Sequence, residues 1–235
     1  SGAIRNQEGS AINSIYGLKC VGMARTQEEA DWVNENCPQY GVTTKPGDLI
    51  YADMDDSGTI DDKDMTIIGS TVPRYTYGVN LSFGWKGLNL SAFFQGVGKV
   101  DGSYYVQPCQ QGGTFRKEHL DRWNETNPNG KYPRLTMTDA NNWKQSSFWM
   151  RSAAYCRLKN IQLSYTLPRT WLKKLRMKSA MVFVNAQNLF TITDFYQGFD
   201  PEVAYSGSGD GVELGAVAYN YPQVKVVTMG VELKF

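Results

Sequence analysis

The sequence predicts an all-β fold: an antiparallel transmembrane β-barrel segment of about six strands with long extracellular loops. Three observations predict it. Large apolar residues alternate with small or polar ones over runs as long as Tyr75 to Trp85. Aromatic residues mark both ends of that run. Connections between such runs alternate strictly between long and short along the chain.

A weaker strand is expected near Ala11 to Ala24, around Ile15 and Tyr16. The strongest begins at Tyr75. Its odd positions are Tyr75, Tyr77, Val79, Leu81, Phe83 and Trp85; the even ones are Thr76, Gly78, Asn80, Ser82, Gly84 and Lys86. Successive side chains of a strand point to opposite faces, so one face is apolar and the other polar. Eleven residues at roughly 3.3 Å each span about 36 Å, which a tilt near 45° reduces to about 25 Å, the height of an outer-membrane apolar band. Aromatic rings at both ends suit the two lipid–water interfaces. The next strand, Gly87 to Gly98, follows a tight turn at Lys86-Gly87 and closes a hairpin. Arg157 to Leu167 sets Ile161, Leu163, Tyr165 and Leu167 against Asn160, Gln162, Ser164 and Thr166, and Pro168 ends it. Ala180 to Ile192 carries Ala180, Val182, Val184, Ala186, Phe190 and Ile192 on one face. The last strand sets Val227, Met229, Val231, Leu233 and Phe235 against Thr228, Gly230, Glu232 and Lys234.

Long connections run over about 25–74, 99–147 and 193–222; short ones are Lys86-Gly87 and Pro168 to Lys178. In an up-and-down sheet, alternate connections lie on opposite rims. All long loops therefore share one rim, the asymmetry of outer-membrane barrels.

Composition narrows the function. The 24 basic and 23 acidic residues leave a net charge of +1, which argues against nucleic acid as a partner. No apolar run is long enough for a transmembrane helix, and a mean hydropathy of −0.43 is compatible with a barrel, whose strands are only half apolar. His119 is the sole histidine, so histidine-based zinc sites and catalytic triads lack their parts. Four cysteines at 20, 37, 109 and 156 have no metal-ligand spacing; a Cys20–Cys37 bridge and four free thiols are both open. Asp121 and Glu125 form a carboxylate pair, but nothing sets their separation, and the chain is expected not to be an enzyme. It begins at Ser1 without a signal peptide and is expected to be processed or a piece of something longer.

Several long segments, in one order, resemble the C-terminal part of the SusC/RagA family, the TonB-dependent outer-membrane transporters of Bacteroidota. They are PGDLIYADMDDSGTIDDKDMTIIGSTVPRYTYGVNLSFGWKGLNLSAFFQGVG (Pro46 to Gly98), HLDRWNETNPNGKYPRL (His119 to Leu135), RLKNIQLSYTLPRTWLKKL (Arg157 to Leu175), VFVNAQNLFTITDFYQGFDPEV (Val182 to Val203) and the closing YPQVKVVTMGVELKF. The resemblance implies a barrel of about 22 strands with an N-terminal plug, of which residues 1–235 would be the last quarter, the plug and earlier strands lying elsewhere. It implies nutrient import across the cell outer membrane, energised by the TonB complex through the plug. It also implies a SusD-like surface lipoprotein that captures an oligosaccharide or a peptide, and outer-membrane lipid around the barrel. The other reading kept open is a soluble, secreted, Ca-stabilised β-domain that binds carbohydrate.

Residues 53–64 read DMDDSGTIDDKD, an EF-hand-like acidic loop. Asp53, Asp55, Ser57, Asp61 and Asp64 fall at loop positions 1, 3, 5, 9 and 12, Thr59 offers its carbonyl at 7, and Gly58 supplies the turn at 6. The expected ligand is a structural Ca²⁺. Ser at position 5 and Asp at 12 are weaker than the usual ligands, and GDLIYA before the loop reads as a strand. A solvated acidic turn would use the same Asp and Gly residues. Tyr104, Tyr105, Trp123, Tyr132, Trp143 and Trp149 gather in and beside the second long loop. They suit the loop's own small core or contact with a partner or substrate, packing being the simpler expectation.

Overall fold

The structure, a computed structural model, describes residues 4–5, 8–103, 117–136, 141–174, 176–195, 199–203 and 223–235. The chain divides into two compact units. The first takes Ser1–Val72 and Gly102–Arg151; the second takes Pro73–Asp101, Ser152–Tyr205 and Tyr219–Phe235.

Short elements build the first unit. β1 (Ile4–Arg5), β2 (Ser14–Gly17) and β5 (Thr66–Ser70) form one antiparallel sheet, and β3 (Cys20–Met23) pairs with β4 (Leu49–Tyr51). The single weak strand expected over Ala11 to Ala24 is therefore two strands in two sheets, β2 and β3. The break falls at Leu18, whose N–H donates to the Gln145 carbonyl at 2.9 Å instead of continuing a ladder. The span expected as a long loop from 25 to 74 carries structure of its own. Thr26 caps α1 (Gln27–Asn36) by accepting from the Glu29 N–H at 3.2 Å, and Glu29 reaches back to accept from the Arg25 N–H at 2.6 Å. Ala30 and Val33 bury the inner face of this helix while Trp32 stays exposed. Leu18, Leu49, Tyr51 and Ile60 form the core, with Cys20 and Cys37 packed against it as free thiols. β8 (Asp101–Ser103) and β9 (Met150–Ser152) form a separate two-stranded sheet.

The second unit is one antiparallel sheet. Its order is β13 (Val226–Lys234), β11 (Ser179–Gln187), β10 (Tyr155–Thr166), β7 (Leu88–Gly98) and β6 (Tyr75–Trp85), with β12 (Thr191–Thr193) also pairing with β10. The five strands expected from Tyr75 onward form the meander, but the one expected over Ala180 to Ile192 is two, β11 and β12, which pair in line with successive parts of β10. Lys86 and Gly87 turn the β6–β7 hairpin with φ of 45° and 89°, left-handed values that a two-residue hairpin requires. The Trp85↔Leu88, Leu88↔Tyr165 and Ser179↔Lys234 pairs place this turn, the 167–178 connection and the chain end on one rim. The connections through 99–154 and 194–225 leave from the other. Sorting of loops by length is thus a property of the fold.

Paired residues of an antiparallel sheet share a face. Val79↔Phe94, Leu81↔Ala92, Ala92↔Ile161, Ile161↔Ala186 and Ala186↔Val227 therefore put every predicted apolar stripe on the same face. That face is open: Leu81, Phe83, Trp85, Val231 and Met229 are 55%, 62%, 61%, 64% and 79% exposed. Removing large apolar side chains from water yields about 1.5–3 kcal/mol each, so the six on β6 alone represent on the order of 10 kcal/mol. The reading as a soluble module needs this face buried, and it is not.

On the opposite face a bulge in β10 falls between Leu158 and Asn160. Arg157 and the bulge residue Lys159 reach the same partner, Glu202. Arg157, almost fully buried, donates to Asp200 at 2.5 Å, Glu202 at 2.6 Å and Thr191 at 2.8 Å, while Lys159 donates to Glu202 at 2.8 Å. This clamp ties residues 200–202 to the sheet near its long-loop rim. Arg157→Leu would leave Asp200 buried and unpaired. Its expected cost is about 3–5 kcal/mol, read as a lower temperature for conversion of the folded to the unfolded band on heated gels. Arg157→Leu/Asp200→Leu should recover part of the loss.

Candidate functional site

The acidic loop links β4 to a single 3₁₀ turn over Asp62–Asp64, so no EF-hand helix flanks it. Asp56 and Gly58 take left-handed φ of 56° and 79°, the second at the turn position the spacing requires. Asp53, Asp55 and Asp64 converge, with one carboxylate oxygen from each within 4.8 Å of the others. Asp53 accepts from the N–H groups of Gly58 at 2.6 Å and Ser57 at 3.2 Å. These bonds favour the ionised form and hold its carboxyl below the usual carboxylate range, the Gly58 bond most strongly. The ordering they give is thus fully present at neutral pH and is lost only as pH falls through that lowered value. Asp64 is fully buried and accepts from Met54 N–H at 2.7 Å and Asp61 N–H at 2.8 Å. Among the described residues no lysine or arginine forms an ion pair with any of the three.

The other loop residues turn to local partners. Asp61 caps the 3₁₀ turn by accepting from Lys63 N–H at 2.6 Å, and Ser57 donates its hydroxyl to the Thr59 carbonyl at 3.0 Å. Ile60 is buried in the core and zips the loop to residues 38–40. Its N–H donates to the Pro38 carbonyl at 3.0 Å, and its carbonyl accepts from Tyr40 N–H at 2.9 Å. The Tyr40 hydroxyl donates to Asp62 at 3.1 Å. Partial burial, and then the Asp62 carboxylate, push that phenol well above its ordinary range. The Lys144 ammonium stands 3.3 Å from the centroid of the same ring, and desolvation there lowers its pKa.

Asp48, which the sequence did not single out, organises the region. Arg134 grips it bidentately at 2.6 and 3.0 Å; Asn142 Nδ2 donates to it at 2.7 Å and Lys45 N–H at 2.8 Å. Asn142 in turn accepts from Leu49 N–H and, through its carbonyl, from Trp149 Nε1. The dipeptide Gly47-Asp48 was the available signal, but it does not name partners 86 and 94 residues away.

The aromatics mostly pack. Trp123 lies against Gly47, where a Cβ would stand 2.6 Å from its ring, and donates Nε1–H to the Arg25 carbonyl at 3.1 Å. Tyr132 stacks on Trp149 at 6.5 Å between centroids and meets Phe148 edge-on at 6.4 Å. Trp143 is half-buried at the end of a 3₁₀ turn. Tyr104 and Tyr105 lie outside the described residues. The structure thus packs the Tyr132 ring with Phe148 and Trp149 and lays the Trp123 ring against Gly47, the Trp123 N–H donating to the Tyr132 carbonyl at 2.7 Å.

No family model matches the sequence. Over 238 residues it is 31% identical to TonB-dependent receptor P3 of Formosa agariphila, covering 97% of this chain and 23% of that protein. This match bears out the resemblance to the C-terminal part of TonB-dependent receptors of the SusC/RagA type. TonB-dependent receptor P26 of the same organism is 28% identical over 247 residues, covering 100% of this chain and 24% of the relative. This receptor segment spans about a quarter of the length of the curated relatives it matches. Among solved structures it superposes on the RagAB peptide transporter with a TM-score of 0.68 at 24% identity, covering 95% of this chain and 22% of that one. On the closed-closed state of the RagAB peptide importer the TM-score is 0.64 at 25% identity, covering 95% and 23%. The sheet of the receptor segment is accordingly a stretch of barrel wall, with its apolar stripes on the outside.

Asp48→Ala would leave the Arg134 guanidinium without its carboxylate and the Asn142 and Lys45 donors without an acceptor. The expected cost is about 3 kcal/mol or more, read as faster proteolysis within 25–72 and 117–136. Arg134→Lys should show part of the effect, because an ammonium cannot make the bidentate grip.

Proposed function

We propose that the receptor segment serves outer-membrane nutrient import. Its sheet is part of the barrel wall through which oligosaccharides or peptides pass, and its long loops meet a SusD-like surface lipoprotein. In this reading the inner-membrane TonB complex supplies energy through a plug encoded outside these 235 residues. The observation that carries it is the coincidence of all five apolar stripes on one exposed face, above a polar face carrying Asn80, Ser82, Gln95, Gln162 and Asn185. Such a surface is stable where lipid covers one side and water the other. The family relationship and the RagAB likeness support the import role. The full-length protein should need detergent to stay monodisperse, and its unheated form should migrate differently on gels from its boiled form. Monodisperse behaviour in plain buffer, with one mobility throughout, would overturn the reading.

The acidic loop is proposed to hold a structural Ca²⁺ through Asp53, Asp55 and Asp64, with the Thr59 carbonyl as a further oxygen ligand and Ser57 and Asp61 completing the sequence pattern. Support comes from hard oxygen donors on three carboxylates that share a small volume, with no lysine or arginine ion-paired to them among the described residues. Like charges so placed repel, and a divalent ion offsets this. Calorimetric titration with Ca²⁺ should give a binding signal for the wild type that Asp53→Ala abolishes. Equal signals from the two proteins would contradict the site.

A further inference from the structure

The connection between β10 and β11 was read above only as a short turn. From Leu167 to Ser179 it contains five basic residues, Arg169, Lys173, Lys174, Arg176 and Lys178, and no acidic one. Removing these five from a chain of net +1 leaves the remainder at −4. This connection is therefore strongly basic in a chain whose remainder is net acidic. The register adds to it: Lys178 N–H donates to the Lys234 carbonyl, and Lys86 turns the neighbouring hairpin on the same rim. Glu232, the acidic residue of the adjoining strand end, is already held by Lys234 at 2.9 Å.

Two further features share this rim. The first is tryptophan. α2 (Arg169–Lys174) packs against β11 with Leu172 buried, while Trp171 beside it is 61% exposed. Trp85 closes the apolar stripe of β6, equally exposed, with the Lys86 ammonium 5.0 Å from its ring centroid. The second is a groove of about 420 Å³, almost wholly apolar, at the rim end of the sheet. Leu88, Leu163, Tyr165, Val182, Met229 and Val231 contribute its apolar lining, and all six lie on the outer face.

We propose that the short-turn rim is a docking surface for an anionic phospholipid. Its phosphate meets the basic turn, and an acyl chain lies in the groove beneath. This rests on the barrel-wall reading, which puts lipid against the outer face. Charge complementarity selects the occupant. Exposed Arg169, Lys173, Arg176 and Lys178 stand at the level where amphipathic Trp rings sit in an interface, and each basic group near a membrane surface favours anionic headgroups. A soluble phosphate would engage the turn but leave the groove unfilled.

The test uses the full-length protein, purified in detergent and reconstituted into nanodiscs of phosphatidylcholine with a minor share of phosphatidylglycerol. Co-purifying lipid is then counted by native mass spectrometry. The wild type should retain phosphatidylglycerol above its share, and 0.5 M NaCl or the Arg169→Gln/Lys173→Gln/Arg176→Gln/Lys178→Gln variant should lower that enrichment by about tenfold or more. Val182→Trp, which fills the groove and leaves the charges alone, should weaken retention of the lipid but not the binding of inorganic phosphate. Equal retention of the two lipids by a wild type that enters nanodiscs normally would overturn the docking surface and leave the barrel reading standing. So would an enrichment that the four-fold variant and high salt both leave unchanged. A wild type that does not enter nanodiscs at all would overturn the barrel reading and this proposal with it.

Discussion

Strand register is the constraint on which the rest of this structure depends. A strand has period two, so a slip of one residue against its neighbour would send a whole stripe to the other face. Four consecutive pairings, β6–β7, β7–β10, β10–β11 and β11–β13, keep phase so that Trp85, Leu88, Tyr165, Val182 and Val231 share one side. In lipid the penalty for losing that phase is double. Polar side chains would be buried in hydrocarbon, and backbone groups at a mismatched edge would lack partners. Devices that look like details of the sheet protect the phase. The left-handed Lys86-Gly87 turn permits only one short closure of the first hairpin.

The loops are held by a different kind of force. At the sheet, Arg157 and Lys159 grip Asp200 and Glu202; in the first unit, Arg134 grips Asp48. Both arrangements set an arginine on a nearly buried carboxylate: Arg134 grips Asp48 with both ends of its fork, while Arg157 divides its fork between Asp200 and Glu202. Paired buried charges add little net stability over apolar packing, but they are intolerant of a missing partner. They therefore fix where long connections sit. The β10 bulge lies within this clamp: Lys159, its extra residue, still reaches the same Glu202 as Arg157.

What was legible in the sequence follows from the range of each signal. Alternation at Tyr75 to Trp85 or Val227 to Phe235 is local, so strands, faces and the sorting of rims could be read directly. The loop spacing from Asp53 to Asp64 likewise marked the carboxylates that converge, and Gly58 the turn. Asp61 shows the limit, since spacing cannot tell a ligand from a cap when the same oxygen can accept from a backbone N–H two residues on. The pairing of Asp48 with Arg134 was illegible because nothing local marks a partner so distant in sequence. The weaker strand expected over Ala11 to Ala24 fails for the same reason: nothing local shows that Leu18 bonds to the distant Gln145 and splits it. The stretch from 25 to 74 reads as loop because its elements are short and their core, centred on Tyr51 and Ile60, is assembled from separated segments.

The account stands on lipid covering one face of the sheet and water the other. The most direct measurement is a quenching scan along β6 in the full-length protein, its native cysteines replaced by serine. Single cysteines are introduced from Thr76 to Gly84, labelled with a fluorophore and exposed to a lipid-borne or a water-soluble quencher. The prediction is a strict alternation: labels at 77, 79, 81 and 83 quenched from the lipid, and labels at 76, 78, 80, 82 and 84 quenched from the water. Labels that respond alike to both quenchers along the strand, or only to the aqueous one, would contradict it.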